Sequence, residues 1–255
     1  MKKVLGRMLI VAGSAYVLAT AWLYRSQRRL LYFPQPLTAT PQAESFGIES
    51  QDVRRQGWII NPGRTRALLY FGGNRESVEQ AEEFFRRTLP QTSVYLIPYR
   101  GFSGNPGSPS EQALFSDALG DYDYIAARHA QVDVMGRSLG SGVATYVAVN
   151  RPVARLVLTT PYDSIQSLAQ EKYPLFPMRL ILADKFESWR RVPDLAAKTM
   201  ILVADDDKVV PRASTDRLIS HFRAPPRVVE IEKADHSSIV GKPEYASAIG
   251  EFLGG

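Results

Sequence analysis

Five consecutive residues, Gly136-Arg137-Ser138-Leu139-Gly140, carry the first chemical signal in this chain. They follow a short apolar run at 132–135 and open a helix-like segment of small residues, Gly140-Ser141-Gly142-Val143-Ala144. G-x-S-x-G between strand and helix is the setting of a nucleophile elbow, where the serine adopts strained φ/ψ and residues two away must be small. The serine hydroxyl then stands at a helix N-terminus, whose partial positive charge favours a developing oxyanion. The competing reading is a glycine-rich turn that only lets strand and helix pack closely. A serine hydroxyl is a poor nucleophile until a base takes its proton, and the chain has three histidines to offer. His129 lies upstream of the elbow and His221 falls within a helical stretch at 215–222, whereas His236 follows the last apolar run. The chain order that accompanies an elbow, nucleophile then acid then histidine, selects His236. The acid should follow the strand before it, where Asp205, Asp206 and Asp207 stand side by side. Spacing does not choose among them, and Asp163 and Asp235 are further candidates. An oxyanion hole needs two backbone amides. One is Leu139, after the nucleophile; the other is expected at Asn74, where Tyr70-Phe71-Gly72-Gly73-Asn74 ends a strand in two glycines. A plain β-to-α turn is the alternative there.

Such residues must be brought together by a scaffold, and the apolar pattern describes one. Runs at 67–71, 93–97, 132–135, 155–158, 200–203 and 228–231 are strand-length and mostly continuous rather than alternating, as in strands covered on both faces. Helix-length segments at 77–89, 111–129 and 140–150 separate them. This alternation predicts an α/β fold with a mostly parallel central sheet flanked by helices. Residues 53–60 are expected to add an antiparallel strand through the Asn61-Pro62-Gly63 turn. The alternation is interrupted at 165–197, which reads as a small helical cap containing Tyr173-Pro174-Leu175-Phe176-Pro177. Gly73, Tyr162, Leu175 and Phe176 are the candidate substrate contacts. The glycine-rich stretch 101–110 lacks the Gly-Lys-Ser/Thr of a phosphate loop and reads as a loop over the active site.

Composition narrows the function further. The absence of cysteine excludes disulfide frameworks, thiolate zinc sites, iron–sulfur clusters and a thiol nucleophile. No histidine or carboxylate group has metal-ligand spacing, so neither metal nor cofactor is expected. The net charge of +5 is concentrated in residues 1–33, which hold six bases and no acid, leaving 25 bases against 26 acids in the remainder. A body without a basic face gives nucleic-acid binding no support. Residues 8–24 carry no charge. If Arg7 snorkels, the apolar stretch covers 4–24, about twenty residues, enough at ~1.5 Å each to cross a hydrocarbon core of about 30 Å. Trp22 and Tyr24 mark an interface, followed by Arg25, Arg28 and Arg29. The expectation is an N-terminal transmembrane signal-anchor at 1–33, then a proline-punctuated linker at 34–45 and a catalytic domain at 46–255. A cleaved secretory signal ending at Ala19-Thr20-Ala21 and a buried core helix are the alternatives. Three bases flank each side of the span, so the positive-inside count ties. The non-cytoplasmic side is expected for the catalytic domain because short N-terminal anchors of this form export the domain joined to them.

Taken in order, Arg29-Leu30-Leu31-Tyr32-Phe33-Pro34, Tyr99-Arg100-Gly101-Phe102-Ser103-Gly104, Pro109-Ser110-Glu111, the elbow, Pro161-Tyr162-Asp163-Ser164, Asp207-Lys208-Val209-Val210-Pro211 and His236 resemble the membrane-anchored serine hydrolases of the Bem46 type. That group includes ABHD12-, ABHD13- and ABHD17-like lipid and thioester hydrolases, within the α/β-hydrolase fold. The resemblance implies Ser138 as nucleophile, His236 as base and Asp207, four residues before Pro211, as acid. Gly72 stands where the family usually has histidine, Val203-Ala204 replaces His-Gly, and Asp235 replaces the glycine before the catalytic histidine. The function expected is hydrolysis of carboxylic esters or thioesters of acyl substrates, lipid-like ones included, through an acyl-enzyme. A peptidase or amidase would use the same triad, and a catalytically silent, membrane-tethered binding protein is the reading from a different class.

Overall fold

The computed structural model describes residues 2–38, 40–50 and 52–254. The six apolar runs form six strands: β3 (Arg66–Phe71), β4 (Ser93–Leu96), β5 (Gln131–Arg137), β6 (Arg155–Thr159), β7 (Lys198–Ala204) and β8 (Arg227–Ile231). With β1 (Glu44–Ser50) and β2 (Val53–Ile60) they make one sheet ordered β1-β2-β4-β3-β5-β6-β7-β8. The strands from β4 to β8 are parallel, while β2 runs antiparallel to both β1 and β4. The antiparallel strand expected at 53–60 is therefore present, but its Asn61-Pro62-Gly63 turn does not close a hairpin with β3, because β4 is inserted between them.

β3 shows why the sheet reads as continuously apolar. Ala67, Leu69 and Phe71 pack on one face with residues such as Leu114, Tyr122 and Val143, from α3 (Glu111–Ala126) and α4 (Leu139–Asn150). Leu68 and Tyr70 pack on the other face with Phe85 of α2 (Glu82–Thr88) and with Tyr245 and Ile249 of α8 (Pro243–Gly254). Both faces are dry, so alternation has nothing to distinguish.

Two boundaries differ from the sequence expectation. β1 begins at Glu44, inside the expected linker, and pairs along its whole length with β2. Its signal is weak because Glu44-Ser45-Phe46-Gly47-Ile48 contributes only Phe46 and Ile48 to the inner face, and only Ile48 is fully buried. The rest of that linker is also fastened: Phe33 N–H donates to the Asn74 carbonyl at 3.1 Å, and the Gln35 carbonyl accepts from Ser103 N–H at 2.8 Å.

The N-terminal helix α1 spans Lys2–Leu31 and is long and apolar enough to cross a bilayer. No residue of its most apolar window is buried, which removes the buried-core-helix alternative. Its last third is nevertheless part of the body, not a free tether. Leu23 is buried, Gln27 bonds the backbone at Ile181 and Ala183, and Arg28 and Tyr32 both donate to the Asp184 carboxylate. The cap consists of α5 (Ile165–Lys172), the four-residue α6 (Met178–Ile181) and two 3₁₀ turns, Ser188–Arg190 and Val192–Asp194. It leads into β7, and α7 (Arg212–Ile219) follows that strand.

Candidate active site

β5 ends at Arg137 and α4 begins at Leu139, leaving Ser138 alone at the turn with φ 51° and ψ −118°. That region is costly for any side chain other than glycine and persists only where the surroundings over-determine it. Here the flanking glycines explain the tightness. A Cβ on Gly136 would lie 2.2 Å from the Gly140 carbonyl oxygen, and one on Gly140 would lie 2.1 Å from the Phe71 carbonyl oxygen. The strand, the turn and the neighbouring β3 end therefore touch backbone to backbone. Ser138 N–H donates to the Thr159 carbonyl at the end of β6, which fixes the turn from the other side.

The serine hydroxyl meets His236. The Ser138 Oγ to His236 Nε2 distance is 2.9 Å, and His236 Nδ1 lies 2.7 Å from Asp207 Oδ2. The chemistry assigns the proton: Nδ1–H donates to the carboxylate and Nε2 accepts from the serine. Asp207 is held by its other oxygen, which accepts from the amides of Val209 and Val210 at 2.8 Å each. Its side chain is 4% exposed and that of His236 14% exposed.

The other carboxylates have different occupations. Asp205 accepts from Ala234 and Lys233 N–H and so ties the acid loop to the histidine loop, and those amides hold its pKa below the ordinary carboxylate value. Asp206 pairs with Lys208 at the surface. Asp163 is buried against Ser214 and Arg217, and Asp235 caps the turn after it by accepting from Ser237 and Ser238. Of the remaining histidines, His129 bonds Tyr95 and the Arg64 carbonyl, and exposed His221 bonds the Arg217 carbonyl. Neither is hydrogen-bonded to Ser138.

Around the elbow, the Asn74 and Leu139 amides have no protein acceptor among the described residues. Gly73 is different. A Cβ there would stand 3.6 Å from that of Ser138, so it borders the nucleophile, but its N–H donates to Glu76 at 2.8 Å. Glu76 also accepts from Tyr70 and from Arg137, and Arg137 donates onward to the His236 carbonyl at 3.0 Å. One largely buried ion pair thus links the loop carrying Asn74, the residue before Ser138 and the loop carrying His236. Sequence reasoning missed it. Arg137 is a variable position of the elbow pattern and Glu76 has no local motif; a buried acid–base pair on adjacent loops is visible only once the sheet is assembled.

Three of the expected substrate contacts are placed otherwise. Tyr162 is fully buried, its hydroxyl donating to the Leu139 carbonyl at 3.1 Å, so it braces the start of α4 from within the core. Leu175 is 80% exposed. Phe176 stacks on Tyr16 of α1, ring centroids 5.3 Å apart and planes 3° from parallel. This proline-bounded segment lies against α1, where the Tyr16 hydroxyl also donates to the Leu175 carbonyl. The apolar cavity lies behind it, about 590 Å³, lined by Leu168, Met178 and Ile181 of the cap, by Leu23 and Leu31 of α1, and by Val209 beside Asp207. The stretch expected to cover the active site, 101–110, and Arg100 just before it are fastened to their surroundings. Ser103 is bonded to Gln35 and Glu79, and Arg100 to Asp117 and Asp52.

The chain is 32% identical over 231 residues to an uncharacterized protein of Mycobacterium tuberculosis, covering 85% of this chain and 82% of the relative. It is 32% identical over 222 residues to the lysophosphatidylserine lipase ABHD12 of Macaca fascicularis, covering 73% of this chain and 55% of that protein. Among solved structures, the Pyrococcus furiosus esterase Pf2001 superposes with a TM-score of 0.70 at 16% identity, covering 88% of this chain and 97% of the esterase. At that identity the likeness speaks for the fold alone. No family model matches the chain.

Proposed function

The chain belongs to the α/β-hydrolase family, in its Bem46/ABHD branch, and from that premise we propose that it is a membrane-anchored serine hydrolase cleaving carboxylic esters or thioesters of acyl substrates. The observation that carries this reading is the hydrogen-bonded line from Asp207 through His236 to a strained Ser138 at the start of α4. Ser138 Oγ attacks the acyl carbonyl while His236 Nε2 takes its proton. The imidazolium formed is stabilised by Asp207, and the tetrahedral oxyanion accepts from the Asn74 and Leu139 amides. The intermediate expels the alcohol or thiol, protonated by His236. Water, deprotonated by the same imidazole, then releases the acid from Ser138.

The apolar cavity between cap and α1 favours a lipid-like acyl chain, and it reaches the acid loop through Lys208, Val209 and Pro211. Residues 4–24 anchor the chain in a bilayer, with the catalytic domain on the non-cytoplasmic side. Protease added to intact cells should reach that domain, and full protection would reverse the orientation. The activity is tested by turnover of a series of acyl esters and thioesters of increasing chain length. Wild type should hydrolyse them with a preference for longer chains, and Ser138→Ala should not. A folded wild type without turnover on any ester or thioester would reject the reading.

A further inference from the structure

The cap ends in a short apolar tip that lies against the middle of α1. Tyr16 is the point of contact. Its ring stacks on Phe176 and its hydroxyl donates to the Leu175 carbonyl at 3.1 Å. Tyr16 sits at the centre of the uncharged run 8–24, eight residues before Tyr24, or about 12 Å along the helix axis at ~1.5 Å per residue. A bilayer that covers residues 8–24 therefore also covers whatever is stacked on Tyr16.

The tip has the composition for such a place. From 172 to 183 the only charged residues are Lys172 and Arg179, both basic, and the outward side chains include Leu175 and Leu180, 80% and 81% exposed. Apolar residues facing out, with basic residues able to extend toward head groups, are the pattern of an element lying within the membrane interface. The backbone comes close to a second, independent requirement, since hydrocarbon offers no partner to an open N–H. Pro174 and Pro177 have none, and the N–H groups of Tyr173, Phe176, Met178, Leu180, Ile181 and Leu182 donate to carbonyls within 169–178. That leaves those of Leu175 and Arg179 without a protein acceptor among the described residues and within reach of head-group oxygens at the interface.

From this geometry we propose that residues 173–182 are a second membrane-inserted element, seated in the same leaflet as the C-terminal half of α1, so that the cap is held by lipid as well as by protein. The occupant of the exposed tip is the lipid surface. The proposal rests on the anchor reading of α1, and its test separates the two.

Because the chain has no cysteine, single cysteines can be placed at will in the full-length protein. Ile10→Cys reports on the anchor, Leu175→Cys and Leu180→Cys on the tip, and exposed Gln91→Cys, ahead of β4, on the body. Each is labelled with an environment-sensitive nitrobenzoxadiazole and reconstituted in phosphatidylethanolamine/phosphatidylglycerol vesicles, with or without doxyl-labelled acyl chains. Probes at 10, 175 and 180 should shift to shorter wavelength and lose emission to the doxyl lipid, while the probe at 91 should stay quenchable by aqueous iodide. Lipid quenching at 10 with iodide quenching at 175 and 180 would overturn the proposal and leave the anchor standing. Iodide quenching at 10 would overturn the anchor itself, and the proposal with it. A blue shift at 175 and 180 without lipid quenching would mean that protein, such as a second copy, covers the tip, and would also overturn the proposal.

Discussion

The elbow and the cap are built on opposite principles. At Ser138 every degree of freedom is fixed by something close: glycines in backbone contact on either side, a carbonyl from β6, and an imidazole itself oriented by a carboxylate that two amides hold. At the cap tip, two leucines project into open space and the main partner is a tyrosine on a helix with little packing of its own. The contrast separates the part of the molecule proposed to do chemistry, which must hold positions to fractions of an ångström, from the part proposed to face lipid. It also locates the joint between them. Asn74 Nδ2 donates to the Leu31 carbonyl and Phe33 N–H to the Asn74 carbonyl, so the end of α1 touches the loop expected to supply an oxyanion donor.

Substitutions in the two regions put that contrast at risk. The largest effect is expected at the acid. Asp207→Asn presents an amide to Nδ1 and should lower kcat by about 10⁴-fold, whereas Asp206→Asn, at the surface beside Lys208, should leave steady-state kinetics unchanged. Equal losses in the two variants would mean that the rigid centre is misassigned. Next is the ion pair behind the elbow. Glu76→Gln weakens the hold on Arg137 and Gly73 without adding bulk, and displacement of the elbow should cost roughly 10²-fold in kcat with KM little changed. A loss confined to thermal stability would make the pair structural only.

The joint should respond in stability. Asp184→Ala leaves the buried Tyr32 hydroxyl without its acceptor, a cost of about 1–3 kcal/mol, read as an earlier midpoint in urea. An unchanged midpoint would show that α1 does not rest on the body. A smaller effect belongs to Asn74→Ala, which removes only the side-chain tie to Leu31 and should reduce turnover a few-fold at constant stability. The smallest is at the tip, where Leu175→Ser in detergent should change stability by no more than about 0.5 kcal/mol. A large loss there would mean the tip is packed into the fold.

Residues near one another in sequence were the legible ones. The elbow is contiguous, and its glycines state the geometry they permit. The five inner strands, β3 to β7, declare themselves because both of their faces are buried, the edge strand β8 shows its apolar run although most of it is exposed, and His236 follows from chain order. Asp207 is another matter, since three adjacent aspartates are chemically alike and only the amides of Val209 and Val210 and the position of His236 tell them apart. Glu76 and Arg137 are 61 residues apart and meet through the sheet order, and Tyr16 and Leu175 are 159 apart. Periodicity cannot register such contacts. The cap is legible as an interruption at 165–197, but the direction its tip faces is not, because the prolines that turn it say nothing about what it turns toward.

The central claim is that Ser138 is an activated nucleophile. Purified full-length protein treated with a fluorophosphonate and digested for mass spectrometry should carry one phosphonate adduct, on the peptide containing Ser138. The adduct should be absent from Ser138→Ala and strongly slowed in His236→Ala. An unlabelled, folded wild type, or equal labelling of Ser138→Ala, would contradict that claim.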